Sequence, residues 1–164
     1  MPNSKNMRVT IDSSRIRALE GKFAGSKERF DKALRKNVGL FSLEMENDSK
    51  ALAPRQDGEL ENSIQSKTSF RNGVASSVTG SNLKYALRRH EEHERKGVYP
   101  LYRRGVKYPD YYYNGRGEIT RAKSPVGGFQ PGRKFLHNAA ILNKNNWYQT
   151  ISDSLKESWE YLYD

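Results

Sequence analysis

The chain has 164 residues, which suits a single domain over residues 1–164, and it carries a formal net charge of +10. It has no cysteine, which excludes disulfide bonds and thiolate chemistry, and no apolar run approaches the roughly 20 residues of a membrane-spanning helix, so we expect no membrane partner. The positive balance favours a polyanionic partner such as nucleic acid, or an acidic protein surface. Hydrophobic residues make up 35% of the chain, so we expect a modest core and some apolar surface kept for neighbouring subunits.

The first predicted elements are short, and a long helix follows them. Residues 7–11 alternate apolar and polar side chains as a half-buried strand does, and residues 15–19 are predicted to form a short helix after a serine cap. Over residues 27–52, apolar side chains recur at helical steps and draw one stripe along about 40 Å. The stripe consists of Phe30, Leu34, Val38, Phe41, Met45 and Leu52. Pro54 ends the helix, because the residue before a proline is pushed out of the helical region.

A hairpin is predicted next. Residues 60–70 are typical of a turn followed by a strand, and residues 74–79 are its partner strand. Asn72-Gly73 between them is a strong hairpin signal, since both residues tolerate the positive φ of a type I′ turn. Residues 83–87 are a third candidate strand, although the same residues could begin a helix.

Residues 95–131 differ in character from the rest of the chain. They hold four of the six prolines, six glycines and six of the ten tyrosines, and they show no helical period. We interpret them as an extended insertion within the domain, either a long β-hairpin or an arm.

The insertion is also basic. Between residues 95 and 123 there are eight lysines and arginines against two acidic residues, a net charge of +6. Arginine beside aromatic rings is typical of contact with a nucleic acid backbone. It is also typical of protein interfaces, so both kinds of contact are open at this point. The candidate interface or DNA-proximal residues are Arg95, Lys96, Tyr102, Arg103, Arg104, Lys107, Tyr111, Tyr112 and Tyr113.

The helical period returns after the insertion. Phe135 and Ala139 begin one face, which continues at helical steps through Trp147 and Trp159. Core packing is the default for the two tryptophans, and contact with a neighbouring subunit is the alternative. Residues 143–146 are rich in asparagine and predict a kink or a split in this helix.

No residue pattern points to catalysis or to a metal. His90-Glu91-Glu92-His93 places two histidines three residues apart, but the order is not that of a His-Glu-x-x-His site, and no distant third ligand accompanies them. The chain has no Gly-x-Ser-x-Gly nucleophile, no paired carboxylates in apolar surroundings and no phosphate-binding glycine loop. We therefore expect no enzymatic activity, no metal and no cofactor.

Several short motifs, taken in order, carry a resemblance to a known family. After the long helix the chain contains Ala-Pro-x-x-x-Gly-x-Leu-x-x-Ser-Ile, then a hairpin and Tyr-Ala, and finally Phe-Leu-x-x-Ala at the start of the closing helix. The matching residues are Ala53, Pro54, Gly58, Leu60, Ser63, Ile64, Tyr85, Ala86, Phe135, Leu136 and Ala139. This order resembles the head–tail joining and tail-completion proteins of long-tailed bacteriophages, often described as minor capsid proteins.

The resemblance implies an α+β fold, in which a small antiparallel sheet packs with one long helix in the N-terminal half and with a C-terminal helix. The basic, tyrosine-rich insertion is additional to that fold. The resemblance also implies a structural role in the virion neck, as a homo-oligomeric ring, with a hexamer favoured. Such a ring joins the head connector or stopper to the tail tube and leaves a channel for the genome. Non-specific contact between the basic insertion and the genomic DNA is one of the two contacts left open above. The subunits would be made in the host cytoplasm. The alternative is a basic nucleic-acid-binding module with no tie to a virion.

Overall fold

The computed structural model describes residues 20–23, 25–71 and 74–160. The strand predicted over residues 7–11 and the helix predicted over residues 15–19 lie outside them. Within the described residues the fold is α+β, as predicted, with a long helix in the N-terminal half, small antiparallel sheets and a C-terminal helix. No helix in this part of the chain is both long and apolar enough to cross a membrane.

Helix α1, Ser26–Leu52, is the long helix. Its predicted apolar stripe packs into the fold: Leu34, Val38 and Leu52 are buried, and the aromatic and methionine side chains of the stripe are half-buried. The helix ends where the sequence predicts, because the residue before Pro54 takes an extended backbone with φ −64° and ψ 144°. The first sheet and the C-terminal helices pack along α1, so this helix fixes their relative positions.

The first sheet is a two-stranded hairpin that lies against α1. Strand β1, Ile64–Arg71, pairs antiparallel with strand β2, Val74–Ser81, over their full lengths. The predicted hairpin is therefore confirmed, whereas its Asn72-Gly73 turn lies outside the described residues.

Hydrogen bonds join this hairpin to the helix. The hydroxyls of Ser42 and Ser77 share a hydrogen bond of 2.6 Å. The backbone N–H of Ser66 donates to Glu46 Oε2 at 2.7 Å, and Lys50 Nζ donates to the other oxygen of the same carboxylate at 2.6 Å. The Glu46 carboxylate thus links α1 to the backbone of β1.

Short helices occupy two segments for which the sequence predicts other structure. Helix α2, Glu59–Ser63, precedes β1 where a turn is predicted. Helix α3, Ala86–Glu91, occupies the segment predicted as a third strand over residues 83–87, so the strand is wrong and its stated alternative, the start of a helix, is correct. The reason is local: the N–H of Ala86 donates to the carbonyl of Leu83 at 3.0 Å, which closes a turn and directs Ala86 into the core.

The insertion forms a second sheet and adds no strand to the first. Strands β3, Val98–Arg103, and β4, Val106–Tyr113, form an antiparallel hairpin, and the short strand β5, Arg116–Gly117, pairs with β4. Of the two forms expected for this segment, the long hairpin is present. Helix α4, Glu118–Arg121, follows β5.

Two tight turns connect these strands. Arg104 and Gly105, with φ of 50° and 78°, join β3 to β4, while Asn114 and Gly115, with φ of 47° and 73°, join β4 to β5. Positive φ at both central residues is the type I′ pattern, whose twist matches that of the flanking strands.

Two residues at the end of the insertion fasten the second sheet to the C-terminal end of α1. The Thr120 hydroxyl donates to the Arg55 carbonyl and accepts from the Arg55 N–H, both at 3.0 Å. Lys123 Nζ donates to the Ala53 carbonyl at 2.7 Å and forms an ion pair with Glu61. The second sheet is therefore held at its base.

The C-terminal helical region is split, as predicted. Helices α5, Phe135–Leu142, and α6, Lys144–Trp159, meet at Asn143, whose backbone has φ −89° and ψ 3°. Asn143 is 1% exposed, and its side-chain amide donates to Asp48 Oδ2 at 2.7 Å and to the Ala139 carbonyl at 3.0 Å. The break between the two helices is thus fixed by a buried contact with α1.

The main hydrophobic core lies at the C-terminal end of α1. Its buried members are Leu52, Ala53, Leu60, Ile64, Ala86, Phe135 and Ala139. They come from α1, α3 and α5 and from the segment that contains α2 and the start of β1. Among the described residues, no member of this cluster belongs to the second sheet.

Candidate interaction surfaces

The motif residues behind the family resemblance lie in and around the core. Seven of them are buried: Ala53, Gly58, Leu60, Ile64, Ala86, Phe135 and Ala139. Pro54 and Leu136 are half-buried beside them. In this structure these residues pack the corner where α1 gives way to α2 and β1, together with the start of α5.

Gly58 and Ser63 shape the corner itself. Gly58 precedes α2 with φ 92°, in the left-handed region that favours glycine. The Ser63 hydroxyl donates to the Leu60 carbonyl at 2.7 Å and shares a hydrogen bond of 2.6 Å with the Ser81 hydroxyl. The corner is thereby tied to the end of β2.

Tyr85 differs from the buried motif residues because its side chain is 38% exposed. Its hydroxyl donates to Glu59 Oε2 at 2.8 Å. Partial burial, together with the nearby Glu59 carboxylate, raises the pKa of Tyr85 to about 12. The hydroxyl therefore remains a hydrogen-bond donor at neutral pH.

The hairpin of β3 and β4 projects from the rest of the fold, and we call residues 98–113 the arm. Every residue from 102 to 110 is exposed, and the main contacts of the two strands are with each other, with β5 and with α4. Tyr102 is 67% exposed, and Tyr108 is 46% exposed. Aromatic rings clustered on a projecting surface are typical of a site that a partner covers.

Three positive charges lie at the tip of the arm. Arg103 and Arg104 are at the turn, and Lys107 is the cross-strand partner of Tyr102. Lys107 Nζ lies 5.8 Å from the centre of the Tyr102 ring, within range of a cation–π contact. The tip thus combines tyrosine and arginine, which are both enriched at protein interfaces.

Tyr111, Tyr112 and Tyr113 belong to the base of the arm. Tyr111 is only 9% exposed, and its ring packs edge-on against Tyr112 with centroids 4.9 Å apart. Gly117 provides the space, because a Cβ there would lie 2.7 Å from the Tyr111 ring. Burial raises the pKa of the Tyr111 hydroxyl. Tyr111 therefore anchors the second sheet instead of presenting a contact surface, while Tyr113 is exposed.

Arg95 and Lys96 are exposed in the segment before β3. Arg95 Nη2 pairs with Glu92 Oε1 at 3.1 Å, and the carbonyl of Lys96 accepts a hydrogen bond from the Tyr99 hydroxyl at 2.7 Å. The residues predicted as one interface set therefore divide into the tip of the arm, its base and this segment. The structure does not bring them together into one patch.

A groove of roughly 750 Å³ lies between α1, β2, α3, α5 and α6, and we call it the apolar groove. Its apolar lining includes Phe41, Met45, Leu87, Leu136, Trp147 and Tyr148. Leu87 is 72% exposed, and Trp147 packs edge-on against Phe41 with ring centroids 5.0 Å apart. Trp147 thus belongs both to the interior and to the groove. The sequence does not reveal this groove, because its lining comes from five elements that no periodic pattern connects.

The histidine segment lies beside the start of α5. Among the described residues, no three His, Cys, Asp or Glu side chains lie close enough together to hold a metal ion. His90 instead packs edge-on against Phe135, with ring centroids 5.1 Å apart, and its Nδ1 lies 2.8 Å from Glu91 Oε1. Lys134 also pairs with Glu91, and this contact lowers the pKa of the Glu91 carboxyl.

No protein-family model, curated protein or solved structure matches this chain. The functional interpretation therefore depends on the order of the motifs and on the two surfaces described above, the arm and the apolar groove.

Proposed function

We propose that this chain is a structural subunit of a ring in the neck of a long-tailed bacteriophage. The ring joins the head connector or stopper to the tail tube, and its central channel lets the genome pass. Six copies are our first choice for the number of subunits. The motif order supports this proposal, because the long helix, the corner at Pro54 and the start of the closing helix follow one another as in the head–tail joining proteins that the sequence resembles.

The observation that carries the proposal is the presence of two unlike surfaces on one chain. The arm presents exposed tyrosines and cations, the groove presents apolar side chains, and the two share no residue. When one patch of a subunit fits a different patch on the next, association is heterologous, and it closes into a ring if the rotation per subunit permits.

The arm has the length and the chemistry to reach a neighbour. Strand β4 has eight residues, which corresponds to about 26 Å at 3.3 Å per residue. Tyr102 and Tyr108 lie in the outer half of the arm and supply aromatic rings of the kind that anchor protein interfaces. We therefore place the arm of one subunit in the apolar groove of the next.

The role of such a subunit is mechanical. Binding area between subunits and neighbouring rings does the work, and no reacting group is required. Contacts of the arm's cations with DNA would involve phosphates alone, since passage of the genome cannot depend on base order.

A cross-linking experiment tests the placement of the arm. Because the chain contains no cysteine, single cysteines can be introduced without background. The variants Tyr102→Cys and Leu87→Cys are mixed and treated with a short bismaleimide. The proposal predicts a cross-linked dimer between the unlike variants, and much less product from either variant alone.

Val78→Cys provides the matched control for this experiment. Val78 is 69% exposed, close to the exposure of Leu87, but it lies on β2 outside the groove. A mixture of Tyr102→Cys with Val78→Cys should give little product. Equal yields in the two mixtures, or no product with Leu87→Cys, would contradict the proposal. The alternative function, a nucleic-acid-binding module, predicts no groove cross-link.

A further inference from the structure

A cleft beside the base of the arm is lined by six arginines, and we call it the arginine cleft. It has a volume of roughly 700 Å³ and lies between the segment after α1, helix α3 and the second sheet. The arginines are Arg55, Arg88, Arg89, Arg95, Arg116 and Arg133. Helix α3 separates this cleft from the apolar groove, because Arg88 and Arg89 line the cleft while Leu87 and His90 line the groove.

The carboxylates of the cleft do not neutralise these arginines. Its acidic lining residues are Asp57, Glu59, Glu92 and Glu94, four against six. Glu92 alone pairs with three of the arginines, at distances between 3.1 and 3.9 Å. Glu59 is engaged by the Tyr85 hydroxyl. Glu61, which is not part of the lining, pairs with Arg55 at 3.5 Å. Among the lining residues themselves, two positive charges are in excess.

Arg116 and Arg133 are the arginines that this excess leaves for a ligand. The Nε–H groups of both are shielded from solvent, and neither has a hydrogen-bond acceptor among the described residues. Both residues line the cleft, so an anion bound there would face their guanidinium groups.

Tyrosine rings complete the lining. Tyr99 and Tyr112 are cross-strand partners at the base of the arm, and both line the cleft, as does Tyr85. Aromatic rings beside a positively charged groove are the combination that holds single-stranded nucleic acid, because bases stack on the rings and phosphates pair with the cations. A volume of about 700 Å³ is typical of a small-ligand site, so it fits one strand better than a duplex.

We propose that the arginine cleft binds the sugar–phosphate backbone of a single nucleic acid strand. Arg116 and Arg133 contact phosphate oxygens, which arginine recognises through paired N–H donors, and Tyr99 stacks on a base. An acidic polypeptide would satisfy the arginines but leave the rings without a stacking partner, so it is the less suitable occupant. This inference goes beyond the ring and does not depend on it.

Fluorescence anisotropy with a labelled 12-nucleotide oligodeoxythymidylate tests the inference. The intact chain should bind it with an affinity that falls as salt rises. The double variant Arg116→Gln/Arg133→Gln should weaken binding at least about tenfold, since each lost contact is charge-assisted. The plot of log affinity against log salt concentration should become less steep by about 1.4, because two phosphate contacts are lost and each contributes roughly 0.7 to the slope.

Two further variants make the test specific. Arg103→Gln/Arg104→Gln removes the same charge from the tip of the arm and should change affinity much less. Arg88→Gln/Arg89→Gln removes two positive charges from the cleft at exposed side chains. The lower positive charge should weaken binding, and this variant keeps the test valid if Arg116 and Arg133 prove necessary for folding. The inference would be overturned if the tip and cleft variants lost equal amounts of oligonucleotide affinity, or if both cleft variants bound the oligonucleotide as the intact chain does. Displacement of the oligonucleotide by polyglutamate of the same charge, at equal concentration, would also overturn it in favour of an acidic protein partner.

Discussion

Leu60 lies at the corner between α1 and β1 and is 5% exposed. The substitution Leu60→Ala should cost on the order of 2–5 kcal/mol of unfolding free energy, because it removes buried methyl groups and leaves a cavity. A loss of that size is a large share of the stability of a small domain. The midpoint of denaturant unfolding measures it.

Leu87→Ala is the matched control for Leu60→Ala. It makes the same chemical change at a side chain that is 72% exposed, so the unfolding free energy should move by less than about 0.5 kcal/mol. Similar losses in the two variants would mean that the corner does not depend on Leu60.

Glu46 gives the clearest pH dependence. The hydrogen bond from Lys50 and that from the Ser66 N–H lower the pKa of the Glu46 carboxyl. A carboxyl with a lowered pKa in the folded state contributes stability above its unfolded pKa of about 4.3, and that stability is lost as pH falls through the folded value. Glu46→Gln should therefore cost about 1 kcal/mol at pH 7 and progressively less below pH 4.

Glu157→Gln serves as the control for the Glu46 measurement. Its ion pair with Lys36 is exposed, with side chains 39% and 63% accessible, so the substitution should have little effect at any pH. A stability difference between the intact chain and Glu46→Gln that stays constant down to pH 2 would contradict the assigned role of the carboxylate.

Among the elements, local patterns predicted the three longest helices, α1, α5 and α6, but not the short helices α2 and α4. The stripe of α1 and the stop at Pro54 gave correct ends, and Asn143 marked the split between α5 and α6. The strand prediction for residues 83–87 was wrong, because a short apolar run fits the period of a strand as well as that of a helix. In the structure Ala86 is buried at the start of a helix.

The second sheet shows what the sequence could have told us and what it could not. Asn114-Gly115 carries the same type I′ signal as Asn72-Gly73, and it marks the turn from β4 to β5. Which tyrosines are exposed could not be predicted, because exposure depends on Gly117 making room for Tyr111. The apolar groove and the arginine cleft could not be predicted either, because the lining of each comes from segments that are far apart in the sequence.

In the ring that we propose, the arm would contribute contacts to neighbours and little to the stability of its own subunit. Replacing residues 102–107 with Asn-Gly shortens the hairpin at a point where Leu101 and Tyr108 are already cross-strand partners. The unfolding free energy should change by less than about 0.5 kcal/mol, since no residue of the main core cluster is removed. Subunit association, measured by light scattering, should be lost.

The replacement of Lys67 and Thr68 with Ala provides a control on the first hairpin. Both side chains are exposed and lie outside the apolar groove. This variant should associate like the intact chain. Normal association of the shortened arm would show that the arm is not the contact.

At the scale of the whole molecule, the described structure leaves large apolar side chains uncovered while the core is small. Leu87, Val78 and Tyr102 are each more than 60% exposed, and Trp159 at the end of α6 is 47% exposed beside Phe23. Only 35% of the residues in the chain are hydrophobic, so each exposed apolar side chain is one fewer for the core. Leu87 lines the apolar groove and Tyr102 lies on the arm, so both belong to the surfaces that we propose meet a neighbouring subunit.

The charges of the arm's tip give a prediction for assembled particles. Replacing Arg103, Arg104 and Lys107 with Gln should block head–tail joining, leaving filled heads and separate tails, because tyrosine and arginine together are the usual anchors of interfaces. Electron microscopy of the particles checks this. Joined particles with altered DNA ejection would instead place the tip in the channel.

Electron cryo-microscopy of particles carrying a tagged copy can locate the ring that we propose between head and tail. We expect a closed ring of repeated copies, six as first choice, around an open channel, with the arm of each subunit on its neighbour. A single copy per particle, or no density for the chain at the neck, would contradict the proposal.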